Sequence, residues 1–129
     1  ANGLSMSAAN AVLDILSESP VLENLAKRGK KLKTGLDQVL TDAGVPHQMS
    51  GHPNIQGFLI TERSVQEVRD LAYSDDAMYE AIMSNMYDRG VWAESDPREP
   101  WFLCEAHSDE IIDETIDKFQ DSVQAAVHS

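Results

Sequence analysis

Apolar residues recur along this chain with two different periods, and the changes of period lay out its elements. Leu4, Ala8, Val12, Ile15 and Leu16 fall at helical spacing and predict a first helix ending near Ser17, where "SESP" interrupts the pattern. Asn2 is placed to cap it, because its side-chain oxygen can accept a first-turn N–H. Ser5, Ser7, Ala8, Ala9 and Ala11 surround the stripe, so this helix can approach a neighbour closely. Leu25, Leu32, Leu36, Val39 and Leu40 mark a second helix, with Ser19 as its expected cap and Pro20 in its first turn. Ala43-Gly44 ends it, glycine being free to take the left-handed conformation.

The period then shortens. "VPHQMSGHPN" reads as an extended segment with a turn at Gly51 and Pro53, and "IQGFLITE" as the clearest strand. Ser64-Val65-Gln66-Glu67 is a capping-box pattern that predicts a short helix. A further helix over "DDAMYEAIMSNMYDRG" carries Met78, Ile82 and Met86, flanked by Tyr79, Met83 and Tyr87, and stops at Gly90. "VWA" and "PWFLCEA" are expected to be short strands around the polar loop "ESDPRE". Ser108 should cap the last helix, with Asp109 and Glu110 suiting its dipole and Ile112, Ile116, Phe119, Val123 and Val127 facing inward. This order predicts an α+β fold, with helices packed on one face of a small, mostly antiparallel sheet. The region after the first helix is expected to form one compact unit.

Composition narrows the function classes. At 129 residues the chain suits one domain with a modest core, and no apolar run is long enough to span a bilayer. The N-terminus lacks a basic stretch followed by an apolar one, and the single Cys104 suits a reducing compartment, so a cytoplasmic protein is expected. A net charge of −12 opposes nucleic acid and anionic membranes as partners. "AKRGKKLK" is a local basic exception; without interleaved aromatic residues it reads as a solvated helix face.

Catalytic constellations are sparse. Cys104 and His107 have a C-x-x-H spacing, but His47 and His52 lie more than one element away, so no metal site is expected. Cys104 lies within an apolar stretch and reads as core, and the methionine stripe likewise. There is no phosphate-binding glycine loop and no G-x-S-x-G elbow. "ESDPREP" is the best candidate from chemistry alone, because it places Glu94, Asp96, Arg98 and Glu99 between prolines that restrict the backbone.

Two stretches carry a resemblance. "ANGLSMSAANAVLDIL" resembles the S-G-N-P-L-A-M-A-A-G-x-A-T-L-x-I-L stretch of class III aminotransferases, pyridoxal-phosphate (PLP) enzymes of fold type I. "DRGVWAESDPREPWFLCEAHSDEIIDETIDKF" resembles their C-terminal R-G-V-Y-x-A-x-x-x-F-E-A-G-F-L-S-x-A-H-T-x-E-D-I-D-x-T-L pattern, typical of the glutamate-1-semialdehyde 2,1-aminomutase branch. The resemblance implies the C-terminal small domain of such an enzyme. Residues 1–17 would be the helix closing the large PLP domain, and residues 18–129 the small domain. It also implies that the Schiff-base lysine, the phosphate-binding turn and a phosphate-binding threonine lie upstream of Ala1. Lys27, Lys30, Lys31, Lys33 and Lys118 do not align with that lysine, so no residue of this chain is expected to be catalytic or to hold PLP.

The chain alone is therefore expected to be inactive. Its partner would be the missing large domain, within a homodimer of the parent enzyme. Glu99 aligns with a glutamate that faces the active site, while Arg98, Pro100 and Trp101 stand where the family has Phe, Ala and Gly. Glu99 and Arg98 are thus the expected substrate-side residues. Glu99 would steer an amino group, and Arg98 would bind a substrate carboxylate or else pair with Glu94 or Asp96. The departures leave open whether the parent shifts or transfers the amino group. Two other readings remain: a stand-alone, non-catalytic module of this fold that binds a protein or small ligand, and a split enzyme that reassembles with a separately encoded large domain.

Overall fold

A computed structural model describes residues 2–128. Helix α1 (Gly3–Glu18) is followed by α2 (Val21–Asp42), strands β1 (His47–His52) and β2 (Ile55–Ile60), and a 3-10 helix (Val68–Tyr73). Helix α3 (Asp76–Asp88), strand β3 (Trp101–Phe102) and α4 (Asp109–Val127) complete the order. The sheet is antiparallel, in the order β1-β2-β3, with Met49 opposite Phe58, Ser50 opposite Gly57, and Ile55 opposite Phe102. The α+β class and its antiparallel sheet are as the sequence predicts.

Because strand side chains alternate, β2 divides into two faces. Gln56, Phe58 and Ile60 point toward the helices and are buried. Phe58 sits at the centre, its ring 5.1 Å from Tyr79, 5.4 Å from Phe119 and 5.8 Å from Trp101, so α3, α4 and β3 meet on one strand residue. Leu32, Leu36 and Leu40 close the core from α2. Helix α2 crosses the hairpin turn closely: a Cβ on Gly29 would overlap the Pro53 carbonyl. The buried Gln56 amide reinforces this crossing by donating to Gly29 O (3.0 Å) and Pro53 O (2.8 Å). No α-helix lies on the other face of the sheet, which presents Ser50, His52, Ile55, Gly57 and Phe102 and meets the 3-10 helix at the buried Leu59.

Helix α1 stands apart. Asn2 caps it through Leu4 N (2.9 Å), yet none of its residues is buried, and among the elements it meets only α2. Leu4 is 80% exposed and Leu13 61%, so a substantial apolar surface lies open.

Several local expectations shift for identifiable reasons. Pro20 occupies the cap position of α2 rather than its first turn, and Ser19 contributes its carbonyl to Val21 N instead of a side-chain cap. The capping box forms three residues later, between Glu67 and Asp70, and opens a 3-10 helix. "VWA" is not a strand, because its backbone is claimed by α3: Val91 N donates to Met86 O, and the Tyr87 hydroxyl to Ala93 O. "PWFLCEA" keeps only Trp101–Phe102 as strand. Cys104 is exposed rather than core, since the chain turns there and its N–H donates to His107 Nδ1 (2.9 Å). On α4 the buried face rotates to Ser122 and Ala126, leaving Val127 41% exposed.

The α2–hairpin crossing gives a direct test. Gly29→Ala should destabilise the domain by about 1–3 kcal/mol, the usual cost of overpacking, as read by urea unfolding. Gly3→Ala, where a Cβ meets nothing within 4 Å, should leave the unfolding midpoint unchanged or slightly raised.

Candidate functional site

The loop from Glu94 to Pro100 lies on the face of the sheet opposite the α-helices, with the Glu99 carbonyl near Gly57. One buried side chain holds both of its ends. The Tyr79 hydroxyl donates to Glu94 O (2.8 Å) and accepts from Trp101 Nε1 (3.2 Å). Burial, chiefly, pushes the Tyr79 phenol up to about 12. Sequence periodicity placed Tyr79 beside the α3 stripe but carried no sign of this role, which depends on two residues distant in sequence.

Within the loop, Glu94 Oε1 accepts from Ser95 N (2.9 Å) and Asp96 N (3.3 Å), forming the first turn. Asp96 then takes Arg98 in a fork: Nε to Oδ1 and Nη2 to Oδ2, each 2.7 Å, with Arg98 N also donating to Oδ1 (2.9 Å). The Arg98 guanidinium, then its backbone N–H, holds the Asp96 carboxyl below the usual range, and Asp96 in turn raises Arg98. Of the alternatives for Arg98, pairing with Asp96 is the one adopted here. Glu99 is exposed, and its carbonyl oxygen stands 3.9 Å from where a Gly57 Cβ would be. Arg98 also lines a cavity with Leu59, Val68, Leu71, Ala72 and Asp76. The two substrate-side candidates therefore lie together over the open face of the sheet.

Other sequence candidates disperse. His47 is bonded between Val45 O and Asp37, at the opposite end of β1 from the exposed His52. Among the described residues no three His, Cys, Asp or Glu side chains converge as metal ligands. Met83 and Met86 are buried in the core. The basic stretch is more than a solvated face. Arg28, with its side chain only 17% exposed, lies 3.7 Å from Glu105 and 3.5 Å from Asp109, and Lys31 pairs with Asp113 at 2.6 Å.

The lysines do not suit a PLP site. Lys31 and Lys118 are ion-paired on helix surfaces, and Lys33 donates to Gly51 O (2.7 Å). Asp113 raises the Lys31 pKa, the opposite of what an amine nucleophile needs. Lys27 and Lys30 are exposed on α2. No lysine shares a wall with an aromatic ring in any of the cavities described above or below.

Comparison with known proteins now bears on this geometry. No protein-family profile matches the chain. Curated sequences do. It is 25% identical over 123 residues to glutamate-1-semialdehyde 2,1-aminomutase from Aquifex aeolicus, covering 95% of this chain and 29% of that protein. Against the enzyme of the same name from Persephonella marina it is 31% identical over 120 residues, covering 93% and 28%.

Over nine-tenths or more of its length, this chain is similar in sequence to glutamate-1-semialdehyde 2,1-aminomutases. Solved structures agree on the fold. The FumI protein of Sphingopyxis, solved in its PLP internal aldimine form, superposes with a TM-score of 0.80 at 23% identity, covering 95% of this chain and 27% of that one. A transaminase with PLP bound gives 0.76 at 20% identity, covering 98% and 28%. The fold is thus shared with a part of these PLP-bearing structures, 27–28% of each chain. The aminomutase relative extends well beyond it, since the chain spans 27–29% of the length of the curated relatives it matches.

Two predictions follow from the loop's attachments. Tyr79→Phe removes the hydroxyl that both loop ends share; stability should fall by about 1–3 kcal/mol, and backbone relaxation should show residues 94–100 gaining mobility. The folded phenol titrates higher than the unfolded one, so wild-type stability should also decline as pH rises from about 10 toward 12, a slope that Tyr79→Phe abolishes. For Asp96, the depressed pKa means the fork is intact at neutral pH and opens as pH falls through it. A carbon-detected titration should place Asp96 below the ordinary aspartate range, and Arg98→Gln should return it there.

Proposed function

We propose that this chain serves as the small, C-terminal domain of a PLP-dependent aminotransferase or aminomutase, acting in amino-group transfer on an amino acid or amine. The observation that supports this is the superposition of nearly the whole chain on the FumI protein in its PLP internal aldimine form and on a PLP-bound transaminase, at 23% identity or less, alongside matching aminomutase sequences over 90% or more of its length. Residues 1–17 then form the helix that closes the large domain, and the exposed apolar face of α1 supports that role. Residues 18–129 form the small domain, whose open sheet face turns toward substrate. PLP belongs to the large domain, which is the partner this chain requires. The assembled enzyme is a cytoplasmic homodimer.

On this reading Glu99 and Arg98 line the substrate side. Glu99 attracts the amino group. Arg98 exchanges its internal carboxylate, Asp96, for one on the substrate, since both offer the same two-oxygen acceptor. By itself the chain has no lysine placed for the chemistry, so it is inactive alone.

The coding frame tests this directly. Upstream of Ala1 it should encode, in frame, a threonine, a glycine-rich turn and a Schiff-base lysine; a start codon immediately before Ala1 would sink the proposal. Borohydride reduction of this chain with PLP should give only scattered labelling, whereas one stoichiometric lysine adduct would overturn it. In the complete polypeptide, Arg98→Ala should raise KM for carboxylate-bearing amines roughly tenfold or more, matching the loss of a charged hydrogen-bond pair. Neutral amines should be little affected.

A further inference from the structure

The edge of the sheet at β3 carries a recess that the reading above does not use. It measures about 280 Å³, and its floor reaches the core residues Leu32, Trp101 and Ile112. Trp92, which is 94% exposed, and Phe102, 67% exposed, stand at its walls. It is lined by Glu94 and Pro100 of the neighbouring loop but by neither Arg98 nor Glu99.

His107 supplies a fixed polar group at this wall. Its Nδ1 accepts the Cys104 N–H at 2.9 Å and therefore carries no proton, which places the neutral ring's proton on Nε2. Nε2–H is the polar atom the ring has left to offer. Thr115, also at the wall, spends its hydroxyl proton on Ile111 O (2.7 Å) and so cannot donate to a ligand. Glu94 turns Oε1 toward the N–H groups of its own turn. The recess thus combines aromatic and aliphatic walls with an imidazole whose Nε2–H is not used in its Nδ1 bond to Cys104, and a few polar groups among apolar walls are how small-molecule sites fix orientation. Its size, at the low end for such sites, admits a single ring. A net charge of −12 disfavours an anion.

We propose that this recess binds a small, neutral, single-ring aromatic molecule bearing a carbonyl group, the ring packing against Trp92 and Phe102 and the carbonyl oxygen accepting from His107 Nε2–H. Benzamide is the probe. Titrated into the full chain, it should give saturable amide shifts confined to residues 91–94, 100–103 and 107–115, with quenching of tryptophan fluorescence. Toluene, which has the ring without the acceptor, should bind about tenfold more weakly, as one lost hydrogen bond dictates, and benzoate more weakly than benzamide. Ile111→Trp, at a 42% exposed position on the wall, fills the recess and should abolish the shifts while leaving the thermal melt unchanged. If that variant unfolds, the ligand series in wild type decides alone. Absence of saturation up to the solubility limit, equal affinity for toluene or benzoate, or shifts that survive in a folded Ile111→Trp variant would each overturn the proposal.

Discussion

A single buried hydroxyl organises the working side of this domain. Tyr79 belongs to α3 and packs its ring on Phe58, so its position is set by the core. Its oxygen then fixes the carbonyl at one end of the 94–100 loop and the indole N–H at the other. A polar excursion is thereby clamped at both ends to the buried core. Such attachment matters because a loop without it would lose substantial entropy on adopting one conformation. Phe58, Tyr79, Trp101 and Phe119 act as one unit, joining three elements to the strand that carries the loop.

The helices divide into two kinds. Helices α2, α3 and α4 each bury an apolar stripe and account for the core. Helix α1 is well capped at its N-terminus but buries nothing. Its regular periodicity therefore encodes a surface complementary to something other than the rest of this domain.

Much of this was legible in the pattern of residues. The long helices, the hairpin and the glycine stops at Gly44 and Gly90 follow from local chemistry, and both glycines adopt positive φ. The segments misread were those whose backbone is satisfied from a distance. Residues 91–93 look like a strand by composition, yet the Met86 carbonyl and the Tyr87 hydroxyl take the hydrogen bonds a strand would have made. Cys104 reads as core from its apolar neighbours, but the turn closed by His107 carries it to the surface. At the candidate site, chemistry marked out Arg98 and Glu99. Which carboxylate Arg98 would choose needed geometry, since Glu94, Asp96 and Glu99 are all near in sequence.

Gly57 gives the open face of the sheet its particular character. With no side chain at the middle of β2, the candidate loop rests main chain over main chain, the Glu99 carbonyl standing over the strand. The spacing between loop and sheet is then independent of what the loop's side chains are. The exposed Arg98 and Glu99 can be replaced while the platform beneath them keeps its shape. Such a support is a template: the strand dictates where the chemistry is displayed, and the loop is left free to vary what that chemistry is.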